Sequence, residues 1–284
     1  MHTIRYLLVT ACALGGLCLL PGTARAAQSY DNCTGFIDSV PATISTAGVW
    51  CLRKNVSTAN TSGNAITISA NNVTIDCNDF KIGGLAAGNA SQANGIYSSS
   101  RQNVTVRHCN VRGFLRGISL NGGAGHLVED NRLDNNLRTG ISVSGDNNRV
   151  RRNAVYDTSG YGGSGAMTGI LAAADIIDNT VAGVVATATA TDTVWGIYAS
   201  APGSEIRGNQ VRGLALTGSG FVFGIVVTRS GLTVAGNRIS ATTMTKGLGI
   251  DGAGADTFCT GNTVVNFTTA YHSCEYSFGN LPAP

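Results

Sequence analysis

The fold is decided by a phrase that occurs twice in full, as RGISLNGGAGHLVEDNRL at Arg116–Leu133 and as FGIVVTRSGLTVAGNRI at Phe223–Ile239. In each, a Gly-Ile pair leads to an Asn, with one apolar residue three positions before that Asn and another two after it. Aligned on the Asn, the chain yields Asn78, Cys109, Asn131, Asn153, Asn179, Asn209, Asn237 and Asn262. The residues three before are Ile75, Val106, Val128, Val150, Ile176, Ile206, Val234 and Cys259. Those two after are Phe80, Val111, Leu133, Val155, Val181, Val211, Ile239 and Val264. All are apolar in a chain that is 43% hydrophobic, so a chance column would be about half polar. An independent column follows the Gly: Ile96, Ile118, Ile141, Ile170, Ile197, Ile225 and Leu248.

Repeats of this length, each with three short Val-, Ile- and Thr-rich segments, are the signature of a β-solenoid. Each repeat is one turn of a coil, and equivalent strands stack in parallel about 4.8 Å apart. The apolar columns become ladders inside the coil. The Asn column suits a tight bend, because Asn tolerates left-handed geometry and its amide can bond up and down a stack. The 38 glycines and the low 12% content of charged residues agree with closely stacked turns.

NVTIDCNDF (Asn72–Phe80), NVTVRHCNVRGF (Asn103–Phe114) and the later Gly-Ile/Asn repeats resemble the right-handed parallel β-helix proteins of the pectate-lyase-like superfamily. The expected fold is therefore all-β: a single-stranded right-handed parallel β-helix of about eight coils with capped ends. Expected boundaries are a signal peptide over 1–26, an N-terminal cap over 27–64, the β-helix over 65–267 and a C-terminal cap or tail over 268–284. The leader reading rests on Arg5, the apolar run Tyr6 to Leu20 and the small-residue site Ala24-Arg25-Ala26. A lipoprotein cleavage at Cys12 would leave a much shorter apolar run. Export to the periplasm or beyond is expected.

Without Arg5 and Arg25 the chain has 17 basic and 16 acidic residues, a net charge of +1. No basic face emerges, so nucleic acid is not an expected partner. No apolar run after the leader reaches the 18 to 20 residues of a membrane span. Of eight cysteines, Cys12 and Cys18 lie in the leader. An even remainder in an exported chain reads as disulfides. Proximity suggests Cys33–Cys51, Cys77–Cys109 and Cys259–Cys274, among 15 connectivities open to six cysteines. No C-x-x-C pair or histidine cluster calls for a metal, and no cofactor is expected.

The span from the Asn position to the next Gly is 8 to 10 residues in three turns and 15 to 17 in three consecutive ones. These long connections, 154–168, 180–195 and 210–223, leave two readings open: a groove on one flank of the Gly-Ile sheet, or a wider coil with extra strand. The resemblance implies polysaccharide binding in a groove beside that sheet. Candidate ligand-binding residues are Tyr97, Arg116, Asn121, Asp157, Tyr161, Trp195, Tyr198 and Asp251, with the aromatic rings placed to stack on sugars. Glycan hydrolysis needs two carboxylates about 5 to 10 Å apart. Asp157 and Asp192 are the pair that the long connections offer, so a polysaccharide lyase or glycoside hydrolase is an alternative. A structural or adhesion rod is another. Arg149, Arg151 and Arg152 suit either an acidic glycan or a solvated surface, Asp251–Asp256 is a sparse Ca²⁺-loop-like run, and Thr187–Thr193 invites an ice-binding reading that one strand cannot sustain.

Overall fold

The structure is a computed structural model that describes residues 30–163, 165–186, 193–253 and 256–283. The expected leader, Asp192 and most of Thr187–Thr193 lie outside the described residues. All strand pairings among the described residues are parallel, and they join strands from successive turns. The chain makes about nine turns, close to the eight expected. Helix among the described residues amounts to a single 3-10 turn at Leu85–Ala87. Stacking begins at Gly35–Phe36, which pairs with Gly48–Cys51, and continues to Leu281–Ala283.

Each turn contributes strands to three faces. The Gly-Ile face includes Asn94–Gln102, Arg116–Ala124 and Thr193–Ala199. The second face, before the Asn, includes Thr105–Arg107, Leu127–Glu129 and Glu205–Arg207. The third, after it, includes Asn110–Arg112, Arg132–Asp134 and Thr180–Ala186. Ile96, Ile118, Ile141, Ile170, Ile197, Ile225 and Ile250 are in register from turn to turn, each fully buried. Burying such a side chain stabilises by roughly 1.5 to 3 kcal/mol, so the ladders dominate cohesion.

The Asn column is a continuous hydrogen-bonded ladder. The backbone N–H and Nδ2 of Asn131 both donate to Asn153 Oδ1, at 3.1 and 2.9 Å. The same double contact runs from Asn153 to Asn179, Asn209, Asn237, Asn262 and finally Asn280. Each Nδ2 also donates to a carbonyl of the preceding turn, as Asn153 does to Val128 O at 2.9 Å. The left-handed geometry expected of the Asn belongs instead to the residue before it: His108, Asp130, Arg152, Asp178, Gly208, Gly236 and Gly261 all have φ between 50° and 68°. That reversal turns the next side chain inward, where its amide finds only other amides and backbone.

Two expected positions are shifted. Phe80 is half-buried, and Ile82 occupies the inward place opposite Val111. Asn78 and Asp79, both left-handed, lengthen this first corner by two residues. Asn78 accordingly stands outside the ladder and donates to Leu52 O. Near the other end, Gly249-Ile250, rather than Gly247-Leu248, continues the Gly-Ile column, because the pairing slips along residues 240–248. Asp251 thereby moves into register with Val226 and Tyr198.

The three cysteine pairs are disulfides as spaced: Cys33–Cys51, Cys77–Cys109 and Cys259–Cys274, with Cα separations of 5.8, 4.7 and 5.6 Å. Cys109 N–H donates to Asn131 Oδ1, so a covalent link takes over where the amide ladder ends.

The column glycines are explained by crowding. A Cβ on Gly169 would lie 2.4 Å from Val181 Cγ1 and 2.6 Å from Gly196 O on the next turn. The repeated Gly lets the Gly-Ile strand approach the third face while the rungs keep their spacing. Gly169→Ala is therefore expected to destabilise the protein by about 1 to 3 kcal/mol in urea unfolding. An unchanged midpoint would show that this corner has slack.

Candidate functional site

The Gly-Ile face presents parallel outward rows. One reads Asn94, Arg116, Thr139, Thr168, Trp195, Phe223 and Leu248. The other reads Tyr97, Ser119, Ser142, Leu171, Tyr198, Val226, Asp251 and His272. Six of the eight candidate residues thus lie on this face: Tyr97, Arg116, Asn121, Trp195, Tyr198 and Asp251. Asn121 is one outward step beyond Ser119, exposed, and opposite Ser99.

The rows bring some candidates together and keep others apart. Trp195 and Tyr198 form a half-buried ring pair with centroids 4.8 Å apart. Phe223 follows Trp195 on the next turn, and its ring is 6.3 Å from that of Phe221. Tyr97 shares the Tyr198 row but stands four turns away, about 19 Å along the rod. Asp251, two turns beyond Tyr198, holds His272 through a contact of 2.8 Å between Oδ1 and Nδ1. Asp157 lies off the face, in Ala154–Thr158 of the third sheet, exposed and left-handed. Its carboxylate occupies the space left by the absent side chain of Gly183.

Tyr161 is carried back to the face by the connection after Thr158. Its N–H donates to Leu137 O at 3.2 Å, and its ring packs against the core. Over that ring, at 5.6 Å, stands the guanidinium of Arg138, which the sequence reading missed. Burial, with the Arg138 charge second, pushes the Arg116 guanidinium below its ordinary value. Arg138 is hard to find in the sequence because it sits two residues before its Gly, whereas Arg116 sits immediately before its own.

The described parts of two long connections lengthen the third sheet. Thr180–Ala186 pairs with Gln210–Leu216, with Val184, Ala186 and Leu214 buried. The wider-coil reading therefore holds there. A groove of about 500 Å³ lies on the opposite corner, where Asn147, Arg149, Asp175 and Ser204 line it. Its two arginines, Arg149 and Arg151, are neutralised: Arg149 lies 3.2 Å from Asp175. Arg151 and Arg152 both meet Glu129 at 2.8 Å, and Arg152 also meets Asp130 at 2.7 Å. That contact lowers the Asp130 carboxyl and raises the Arg152 guanidinium. The expected arginine run is an ion-pair network. Among the described residues no group of three or more His, Cys, Asp or Glu is placed to hold a metal ion. No helix among them is long and apolar enough to cross a membrane.

The family model described as a right handed beta helix region matches residues 44–211. The chain belongs to this family. Among solved structures, the A-module of the mannuronan C-5 epimerase AlgE4 of Azotobacter vinelandii is 11% identical, with a TM-score of 0.50, over 86% of this chain and 83% of that one. The A-module of AlgE6 from the same organism is 17% identical, with a TM-score of 0.42, over 87% and 88%. The Dettilon tailspike protein is 16% identical, with a TM-score of 0.46, over 81% of this chain and 54% of that one. At such identities the likeness is one of fold. No curated protein matches the sequence.

His126, at the floor of the opposite groove, is a structural part of this β-helix. Its Nδ1 receives the Val104 N–H at 3.4 Å and its Nε2 lies 2.9 Å from Gly122 O, an arrangement that suits the neutral ring. Burial lowers its affinity for a proton below the usual value of 6.5. The unfolded chain then binds more protons than the folded one as the pH falls below that value, and stability declines. Melting temperatures should drop between about pH 7.5 and 5.5, and His126→Gln should shrink that drop. An equal drop in the variant would remove His126 as the cause.

Proposed function

We propose that this is an exported β-helix that binds polysaccharide along its Gly-Ile face, at the cell envelope or outside the cell. The observation that carries the reading is the Trp195–Tyr198 ring pair, half-buried on a regular face with Phe223 beside it on the next turn. Aromatic faces on a rigid sheet offer sugars a large apolar contact at little entropic cost, while the ring hydroxyl and indole N–H remain polar handles. A straight rod with a fixed turn spacing matches a ligand that is itself a linear repeat. Tyr97 at one end of the Tyr198 row and Asp251 with His272 at the other supply further polar contacts.

Three disulfides favour an oxidising compartment and so support export. Of the candidate acids, Asp251 is on this face and pairs with His272, while Asp157 stands on another sheet. A glycan array followed by calorimetry on the glycans that bind tests the proposal. Trp195→Ala and Tyr198→Ala should each weaken binding by about tenfold or more, since a buried aromatic anchor contributes on the order of 1.4 kcal/mol or more. Unchanged affinity in both variants would exclude this platform.

A further inference from the structure

One turn of the rod is out of step with its neighbours. From Gly169 to Asn179 the chain takes 10 residues, whereas the turns on either side, Gly140 to Asn153 and Gly196 to Asn209, take 13. The pairings show where the difference falls. Val143 and Asn148 face Ala172 and Ala174, so residues 144–147 stand opposite Ala173 alone. On the other side Ala199 and Ile206 face Ala172 and Ile176, so residues 200–205 stand opposite 173–175. The short turn is therefore a notch, one turn wide, between two corners that project past it. The groove of about 500 Å³ on this corner is centred on that notch, and its volume is within the range of small-molecule sites.

The notch is held open by its own contacts. Its floor is Ala173 and Ala174, and the carbonyl of Ala173 accepts from Asn148 Nδ2 at 3.0 Å. One wall carries the exposed Asn147. The other is Pro202-Gly203, where the Ser204 hydroxyl donates to Ala201 O at 2.9 Å and Gly203 N–H to Ser230 O at 3.3 Å. At the mouth Arg149 Nη2 donates to Asp175 Oδ2 at 3.2 Å, and Asp175 Oδ1 accepts the Glu205 N–H at 3.1 Å. The two charges cancel, and Arg151 is taken up by Glu129. What the mouth presents is a fixed donor beside a fixed acceptor, without net charge. Both keep spare capacity, since a guanidinium has five N–H donors and a carboxylate about four lone-pair sites. Such a pair is complementary to two neighbouring hydroxyls, because each hydroxyl both donates and accepts.

We infer that the notch at Ala173 binds one neutral sugar residue, held through two adjacent hydroxyls by Arg149 and Asp175, with its C–H surface on Ala173 and Ala174. The corners that flank the notch are two strand spacings apart, about 10 Å, which admits a single ring edge-on and not a polymer laid along the rod. The ligand is therefore a branch or a chain end. An ionised sugar gains nothing here, since no charge is left over for it. The site goes beyond the Gly-Ile platform, because it uses neither Trp195 nor Tyr198 and stands without them.

The test titrates the intact protein with methyl α-mannoside, methyl β-galactoside and methyl β-xyloside, and follows the backbone amide signals of Asn147, Ala173 and Ser204. At least one glycoside should shift them saturably, with a dissociation constant in the millimolar range, and its deoxy counterpart, lacking one of the adjacent hydroxyls, should bind about tenfold more weakly. Arg149→Gln with Asp175→Asn, which removes both charges and keeps the shapes, should weaken binding by about tenfold or more. Ala173→Trp should abolish it by filling the notch; if that variant fails to fold, the double substitution decides. Trp195→Ala should leave these shifts as they are while it weakens binding on the platform, so the two readings fail separately. The absence of saturable shifts with all three glycosides overturns the inference. So do equal affinity for the deoxy counterpart, shifts that survive the double substitution, and shifts produced by a blocked trialanine peptide but by no glycoside.

Discussion

The rod depends on the amide ladder that runs from Asn131 to Asn280. Every turn of a β-solenoid must reverse direction at its corners, and a corner leaves backbone donors and acceptors without strand partners. Here one side chain per turn satisfies them: its Oδ1 accepts a backbone N–H and an Nδ2 from the turn before, and its own Nδ2 donates onward and back to a carbonyl. From Asn131 to Asn262 these side chains are buried, where an unsatisfied amide costs about 1 to 3 kcal/mol. The apolar columns beside the ladder supply more of the cohesion, but they are indifferent to a slip of two residues. The ladder is not, because each Oδ1 has to meet two donors at once, and so it fixes the register of the coil.

That distinction explains what could be read from the sequence. Asn131 to Asn262, with the flanking Val and Ile residues, were legible because ladder and core impose a strict local pattern. Phe80 and Leu248 were misplaced where the pattern has slack. Asn78 and Asp79 add two left-handed residues to the first corner, and residues 240–248 slip in register, and neither change alters the composition of the columns. Nor was the left-handed residue visible: it is Asp, Arg, His or Gly in different turns, because it points to solvent and only its backbone is constrained. Asn280 was missed because the repeat had been taken to end before it. The disulfides were legible from proximity along the chain, since neighbouring turns are the only distance that short separations can bridge.

The candidate site was legible only in part, for the same reason. Tyr198, which follows the period, could be put on the outward face; its contact with Trp195 could not be foreseen, because residues three apart in a regular strand point to opposite faces. Arg138 and Tyr161 meet through a connection whose path no period specifies. The run Arg149–Arg152 drew attention by its density, yet density marked a site of neutralisation: Glu129, Asp130 and Asp175 stand opposite it on neighbouring turns. Charge matters at the surface of this rod where it is left uncompensated, and stacking the sequence into turns is what shows which charges those are. The repeat thus builds a nearly invariant scaffold, and the side chains that could recognise a ligand are those the period leaves free to vary.

The most direct measurement of the ladder's role is urea unfolding of Asn153→Leu, combined with hydrogen exchange at the Asn131 amide. The substitution removes the oxygen that accepts the Asn131 N–H and Nδ2 while keeping similar volume. Stability should fall by about 1 to 3 kcal/mol, and the Asn131 amide should lose protection while that of Asn237, on a distant turn, keeps it. A variant that unfolds at the wild-type urea concentration, with the Asn131 amide still protected, would show that the apolar columns alone set the coil and that the ladder is incidental.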